Sequence, residues 1–200
     1  MAIKNIIFDF GGVLVDWNPR YLYKNHFKDE AEMEHFLENV TTEAWNLEQD
    51  RGRSLADGTQ ILQNQYPEHR DLIQLFYDNW EVMLNGEISG TVELLHRLKK
   101  KYKIYGLTNW SAETIPVAFE RHSFFKEFDG IVVSGHEKMI KPDKNFYQIL
   151  FDRYQIKPEE SVFIDDNIKN IHSAREIGLY AIHFKNPTEL EKELLSIGVI

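Results

Sequence analysis

The sequence predicts an α/β fold, a parallel sheet interrupted early by an α-helical insertion. Three observations carry this prediction. Ile6-Ile7-Phe8 is an apolar run closed by Asp9 and then by Gly11-Gly12, the pattern of a strand buried on both faces that ends in a tight turn. From about Glu87 onward, short apolar stretches alternate with helical periodicity, as in strand–helix–strand units. Between the two, from about Pro19 to Leu84, the pattern is helical with no good strand.

An unpaired carboxylate inside a buried strand is costly. Asp9 therefore reads as the last residue of its strand, aimed into the crevice at the carboxyl ends of the sheet, where α/β proteins bind ligands. Asp29 with Glu32 resembles a capping box, and Met33, Phe36, Leu37 and Val40 share one helical face. Trp45 to Gly52 reads as a helix end and loop, with a further helix from about Ser54. Leu72, Ile73, Phe76, Trp80, Met83 and Leu84 mark one longer amphipathic helix. Ser89 is the expected N-cap of a helix carrying Val92, Leu95 and Leu98.

Lys103 to Asn109 reads as the second strand, with a helix from about Ser111 to Arg121 after it. Phe128 to Ser134 is the third strand, and Phe146, Ile149, Leu150 and Tyr154 mark the next helix. Ser161 to Asp166 is the fourth strand, followed by a helix to about Ile177 that Gly178 stops. Leu179 to Phe184 is the fifth, and Asn186-Pro187 opens a last helix. The alternation implies parallel strands joined by right-handed crossovers. The expected division is a core domain of residues 1–16 and 86–200 and a helical domain of residues 17–85.

Composition narrows the function. The 200 residues carry a net charge of −9, which disfavours a nucleic-acid-binding surface while leaving room for a local anion pocket. There is no cysteine, so disulfides and thiolate metal sites are excluded. No apolar run is long enough to span a bilayer. Met1-Ala2-Ile3-Lys4-Asn5 runs straight into the first strand without a secretory pattern, so a cytoplasmic enzyme with a small-molecule partner is expected. Nothing in the sequence speaks to oligomeric state.

Four strand ends or following loops offer polar groups to one crevice: Asp9, Thr108-Asn109, Lys141 and Asp165-Asp166. Each has a plain alternative. Thr108-Asn109 and Asp165-Asp166 suit helix caps, and Lys141 suits a solvated loop. Together they are better explained by chemistry, because the carboxyl ends of parallel strands face one side. Three carboxylates meeting there repel unless a cation is present, and oxygen ligands select a hard ion, most simply Mg²⁺.

Asp9-Phe10-Gly11-Gly12-Val13-Leu14, Leu107-Thr108-Asn109, Lys141-Pro142 and Phe163-Ile164-Asp165-Asp166-Asn167 resemble the four ordered motifs of the haloacid dehalogenase-like (HAD) hydrolase superfamily. The resemblance covers essentially the whole chain, and the helical insertion is similar to that superfamily's C1-type cap. Gly11 and the Asp165-Asp166-Asn167 run with Asn170 look nearest to an α-D-glucose-1-phosphate phosphatase-like branch. The resemblance implies a Rossmann-like core and a Mg²⁺-dependent phosphatase. Asp9 would be the nucleophile, and Asp9, the Gly11 carbonyl and Asp166 would hold the ion, with Asp165 as a further or supporting ligand. Thr108 and the Asn109 backbone N–H would bind phosphate oxygens, Lys141 would neutralise phosphate and nucleophile, and Asn170 would orient the metal's ligands.

One departure stands out. Most phosphatases of that superfamily carry a second Asp where this chain has Gly11, and that Asp serves as a general acid and base usually worth about 10²–10⁴-fold. Three explanations compete: a comparatively acidic leaving group such as an anomeric hydroxyl, a proton supplied by Asp16 or a residue of the insertion, or a chain that binds phosphate with little turnover. A sugar-phosphate mutase ranks lower, because it too would want the missing Asp. A dehalogenase reading conflicts with the acid pair, which would repel a carboxylate substrate. Trp17, Trp45, Glu48, Arg51 and Trp110 are the expected substrate contacts, against the plainer roles of core packing for the indoles and solvated charge for Glu48 and Arg51.

Overall fold

The structure, a computed structural model, describes residues 2–200. The chain begins with strand β1 (Asn5–Phe8) and a short strand β2 (Val15–Trp17). Helices α1 (Arg20–Tyr23), α2 (Glu30–Asn39), α3 (Glu43–Asp50), α4 (Leu55–Gln65) and α5 (Arg70–Asp78) follow, and β3 (Leu84–Glu87) brings the chain back. The remainder alternates: α6 (Ser89–Leu98), β4 (Lys103–Thr108), α7 (Ile115–Arg121), β5 (Gly130–Val133), α8 (Ser134–Glu137) and α9 (Lys144–Tyr154). It closes with β6 (Ser161–Asp165), α10 (Ile168–Glu176), β7 (Tyr180–His183) and α11 (Pro187–Ser196).

The five-stranded sheet has the order β5-β4-β1-β6-β7, all parallel, with β1 at its centre. Alternate side chains of a strand point to opposite faces. Ile6, Phe8, Ile104, Val162 and Ile164 accordingly pack with Leu95 of α6 and Leu190 of α11. Ile7, Leu107 and Phe163 pack with Leu150 of α9 and Ile171 of α10. The first layer runs on into the helical insertion through Tyr23, Phe36, Trp45 and Phe76.

Register sets the site. Phe8 lies opposite Gly106 on one neighbour and Ile164 on the other. The Asp9 N–H then donates to the Ile164 carbonyl at 2.9 Å. Asp9, Thr108 and Asp165 therefore emerge at one edge of the sheet.

Three local expectations need correction. The long helix expected through Leu84 ends at Asp78, because Trp80–Met83 forms a 3₁₀ turn and Leu84–Glu87 pairs as a strand with β2. That ribbon is too short for periodicity to reveal. Trp45 to Gly52 is mostly helix, because the Thr42 hydroxyl caps α3 by accepting from the Trp45 N–H. Ser89 is the first helical residue rather than the cap, a place taken by Ile88 without a side-chain bond. The caps expected at Asp29 and Asn186 form, and Ser54, where a helix was expected to begin, caps α4.

Candidate active site

Asp9 follows β1 directly, and its Oδ1 accepts from the Phe10 N–H at 2.7 Å and pairs with the Lys141 ammonium at 2.9 Å. Lys141 is wholly enclosed. Its Nζ also donates to Asp165 Oδ2 at 2.7 Å and to the Leu107 carbonyl at 2.8 Å, which uses all three of its N–H donors. The Asn109 side chain braces the same lysine: its amide bonds the Lys141 carbonyl, and its Oδ1 accepts the Lys141 N–H. Asp165 is held on both oxygens, by Lys141, the Asn167 N–H and the Asn170 amide at 3.0 and 3.1 Å. Asn170 thus supports Asp165, five residues earlier, instead of Asp166 one turn earlier.

Thr108 is fully buried, and its Oγ1 has no hydrogen-bond partner among the described residues. A buried hydroxyl without a partner is costly, which is what a ligand oxygen at this position would relieve. Gly12 adopts φ +73°, and a Cβ on it would lie 2.3 Å from Asp166 Oδ2. The second glycine of the turn is therefore needed for both its conformation and the close approach of Asp166. Gly11 differs. A side chain there would meet nothing within 4 Å, so the place of an acid stands open.

Carboxylate oxygens of Asp9, Asp165 and Asp166 lie within 4.8 Å of one another. Burial pushes Asp9 up, to about 8; Lys141 opposes the shift, and Asp165 and Asp166 add to it. Asp166 is raised as well, first by burial and then by Asp165. For Lys141, burial works against the charge, but Asp165 and Asp9 outweigh it and hold the ammonium protonated. One enclosed cation facing three acids leaves an excess of negative charge. An all-oxygen donor set of this kind fits a hard divalent ion such as Mg²⁺.

A cavity of ≈ 470 Å³ lies over this edge. Asp9, Gly11, Asn109, Trp110, Asp166 and Asn170 border it from the sheet, and Trp17, Arg20, Asn46, Asp50, Tyr77 and Trp80 border it from the opposite side. Of the residues expected to contact substrate, Trp17 and Trp110 border the cavity, and Trp45, Glu48 and Arg51 do not. Trp45 is buried inside the insertion with its indole N–H on the Gly58 carbonyl, and Glu48 and Arg51 pair with each other at 3.6 Å on the surface. Sequence reading missed Asn46, Asp50, Tyr77 and Trp80. The signal existed: once residues 43–50 are a helix, Glu43, Asn46, Leu47 and Asp50 share one face at i, i+3, i+4, i+7, and all four border the cavity. Reading that stretch as a helix end and loop concealed it.

Comparison with known proteins agrees. The pattern of the haloacid dehalogenase-like hydrolases matches residues 6–184. A sesquiterpene phosphatase of Aspergillus oryzae is 29% identical over 91% of this chain and 90% of its own length. A D-ribitol-5-phosphate phosphatase of Bacteroides thetaiotaomicron is 23% identical over 98% of both. Drimenol cyclase drtB of Aspergillus calidoustus is 27% identical over 98% of this chain, which spans only 36% of that longer protein. A HAD family enzyme of Bacteroides thetaiotaomicron, solved as a magnesium complex, superposes with a TM-score of 0.72 at 22% identity, covering 93% of this chain and 95% of that one. With its carboxylates, lysine and threonine gathered at one sheet edge and its sequence matched nearly end to end, this chain belongs to the haloacid dehalogenase-like hydrolase family.

Proposed function

We propose that the protein is a Mg²⁺-dependent phosphomonoester hydrolase that works through an aspartyl-phosphate on Asp9. The observation that carries this reading is the pairing of Asp9 Oδ1 with Lys141 and the Phe10 N–H, which leaves Oδ2 free to attack. Residues 17–85 act as a cap over a core of residues 1–16 and 86–200. Asp9, the Gly11 carbonyl and Asp166 would hold the ion, and Asp165, already bonded on both oxygens, supports Lys141 from beneath. When bound, Mg²⁺ shields the phosphoryl charge from the attacking carboxylate. Lys141 keeps Asp9 oriented and lowers the negative potential where the phosphoryl group must sit. The unpartnered Thr108 hydroxyl and the Asn109 N–H bind its oxygens.

The substrate is a small phosphorylated metabolite, and we favour a sugar or polyol phosphate such as glucose 1-phosphate. Indole faces at Trp17, Trp80 and Trp110 suit the apolar face of a sugar ring, while Asn46 and Asp50 suit hydroxyls. Those indoles equally suit an apolar chain, and the relationship to a sesquiterpene phosphatase makes a prenyl monophosphate the second reading.

The test is phosphate release from a panel of sugar, polyol, prenyl and aryl phosphates, with Mg²⁺ and with EDTA, for wild type and Asp9→Asn. The expected result is metal-dependent release that falls at least about 10⁴-fold in Asp9→Asn. Release that survives Asp9→Asn would overturn the nucleophile. No release from any substrate, aryl phosphates included, would make the chain a phosphate-binding protein with little turnover.

A further inference from the structure

Phosphoryl transfer to Asp9 leaves an alkoxide that needs a proton, and the sheet side of the cavity has none to give. Gly11 and Gly12 bring no side chain, Lys141 has spent its donors, and Asp9 and Asp166 face the metal position. Asp16 is turned elsewhere: its Oδ2 accepts from the Tyr21 hydroxyl at 2.7 Å and the Asn85 amide at 2.9 Å, and it does not border the cavity. Two acids border the cavity from the cap, Glu43 and Asp50, at opposite ends of α3. At 1.5 Å per residue they lie about 10 Å apart along the helix. The Asp50 carboxyl faces the backbone N–H of Ser111, two residues beyond Asn109, and both residues border the cavity. Its carbonyl accepts from the Ser134 hydroxyl at 2.6 Å. The Asp50 end of α3 is therefore anchored to the phosphate end of the cavity, and the Glu43 end points away from it.

Asp50 is also held by a partly buried chain of hydrogen bonds. Arg53 donates to Gln49 Oε1 at 2.6 Å, and Gln49 donates to the Tyr77 hydroxyl at 2.8 Å. Tyr77 in turn donates to Asn46 Oδ1 at 2.9 Å, and the Asn46 amide donates to Asp50 Oδ2 at 3.2 Å. The Asp50 carboxyl is bonded by the Asn46 amide and faces the Ser111 N–H, neither of them charged. A carboxyl placed this way keeps its proton more readily than one in water.

We propose that Asp50 is the general acid for the leaving oxygen, a role resting on the phosphatase reading above. Asp9 Oδ2 bonds to phosphorus, and the bond from phosphorus to the leaving oxygen breaks with its electron pair on that oxygen. The leaving oxygen takes the Asp50 proton, and Asp50 becomes a carboxylate. A water then displaces the phosphate from Asp9 and gives its proton to Asp50, which restores both groups. Burial, opposed only by the Ser111 N–H, lifts the Asp50 carboxyl to about 7, where it can do both.

The test compares kcat/KM, which reports the first transfer, for an alkyl phosphate and 4-nitrophenyl phosphate in wild type, Asp50→Asn and Asp50→Asn with Gly11→Asp. A nitrophenolate leaves without a proton and an alkoxide does not. The expected result is a loss of about 10²–10⁴-fold on the alkyl ester in Asp50→Asn, with a loss on the aryl ester of less than about tenfold. Gly11→Asp, placed in open space, should return at least about tenfold of the alkyl activity. Equal losses on both esters would make Asp50 a structural anchor and overturn the proposal, as would an unaffected alkyl rate. Wild type inactive on both esters would overturn the phosphatase reading and this role with it.

Discussion

At the sheet edge, Lys141 is sealed among Asp9, Asp165 and the Leu107 carbonyl; in the cap, Gln49 is sealed among Trp45, Arg53 and Tyr77. Lys141 and Gln49 are both buried, and both clusters hold a carboxyl at the cavity. They differ in what they bury. The first encloses formal charges of both signs, with the acids in excess. The second consists mainly of neutral amides and a phenol, and its one cation, Arg53, sits at the outer end. Removing one member of a buried charged set leaves the others uncompensated, whereas removing a neutral link costs a hydrogen bond or two. The core cluster is therefore the stiffer and the less tolerant, and the cap cluster can be adjusted with modest loss.

The largest effect expected from this contrast is at Lys141. Lys141→Met strands Asp9 and Asp165 and should cost about 3–5 kcal/mol in denaturant unfolding without magnesium. A loss below about 1 kcal/mol would break the contrast. In the cap, the probe is Gly58 on α4. Gly→Ala inside a helix ordinarily stabilises by about 0.5–1 kcal/mol. Here the new methyl would lie 2.5 Å from Gln49 Oε1, and Gln49 has no exposed surface into which to move. Gly58→Ala should instead destabilise by about 1–3 kcal/mol, read from the shift in denaturation midpoint.

Gly12→Ala sharpens the metal side of the comparison. A methyl in the way of Asp166 should raise the magnesium concentration for half-maximal activity by about 10–100-fold, with backbone strain of about 1–2 kcal/mol. An unchanged magnesium titration would remove Asp166 from the ligand set. A further effect is one of pH. The Asp50 carboxyl sits at about 7 when folded, against an ordinary 3.8, so the folded state binds that proton more tightly than the unfolded state does. Its stabilisation is complete below the unfolded value and is lost as pH rises toward 7. The stability difference between Asp50→Asn and wild type should therefore move in favour of the variant between about pH 4 and pH 8. A difference constant over that range would mean that Asp50 titrates normally.

The same contrast explains what the sequence disclosed. The core residues announce themselves, because an apolar run that stops at an acid, repeated at Asp9 and Asp165, has few uses other than a strand end at a shared edge. Even there the detail came from packing: nothing in the order of residues says that Asn170 would reach Asp165 instead of Asp166. The cap residues stayed hidden because Asn46, Asp50 and Tyr77 are ordinary polar positions until α3 is recognised as a helix and docked on the loop after β4. Trp45, Glu48 and Arg51 were expected at the cavity as neighbours of a loop facing the crevice, yet Trp45 and Glu48 lie on other faces of that helix and Arg51 caps its end. Docking is a tertiary fact, and a helical face shows only its period.

The ribbon of β2 and β3 carries a consequence for how such chains diversify. Val15 pairs with Glu87 and Trp17 with Leu84, so the chain departs for the cap and returns from it across one short antiparallel ribbon. To the sheet, everything from residue 18 to residue 83 is a loop whose ends are already joined. Lengthening such a loop is cheap, with each doubling adding only about 0.6 kcal/mol of closure entropy. The cap is thus a replaceable cartridge with a fixed mount. The segment between Trp17 and Leu84 can be exchanged while Asp9, Lys141 and the acid pair keep their places at the sheet edge.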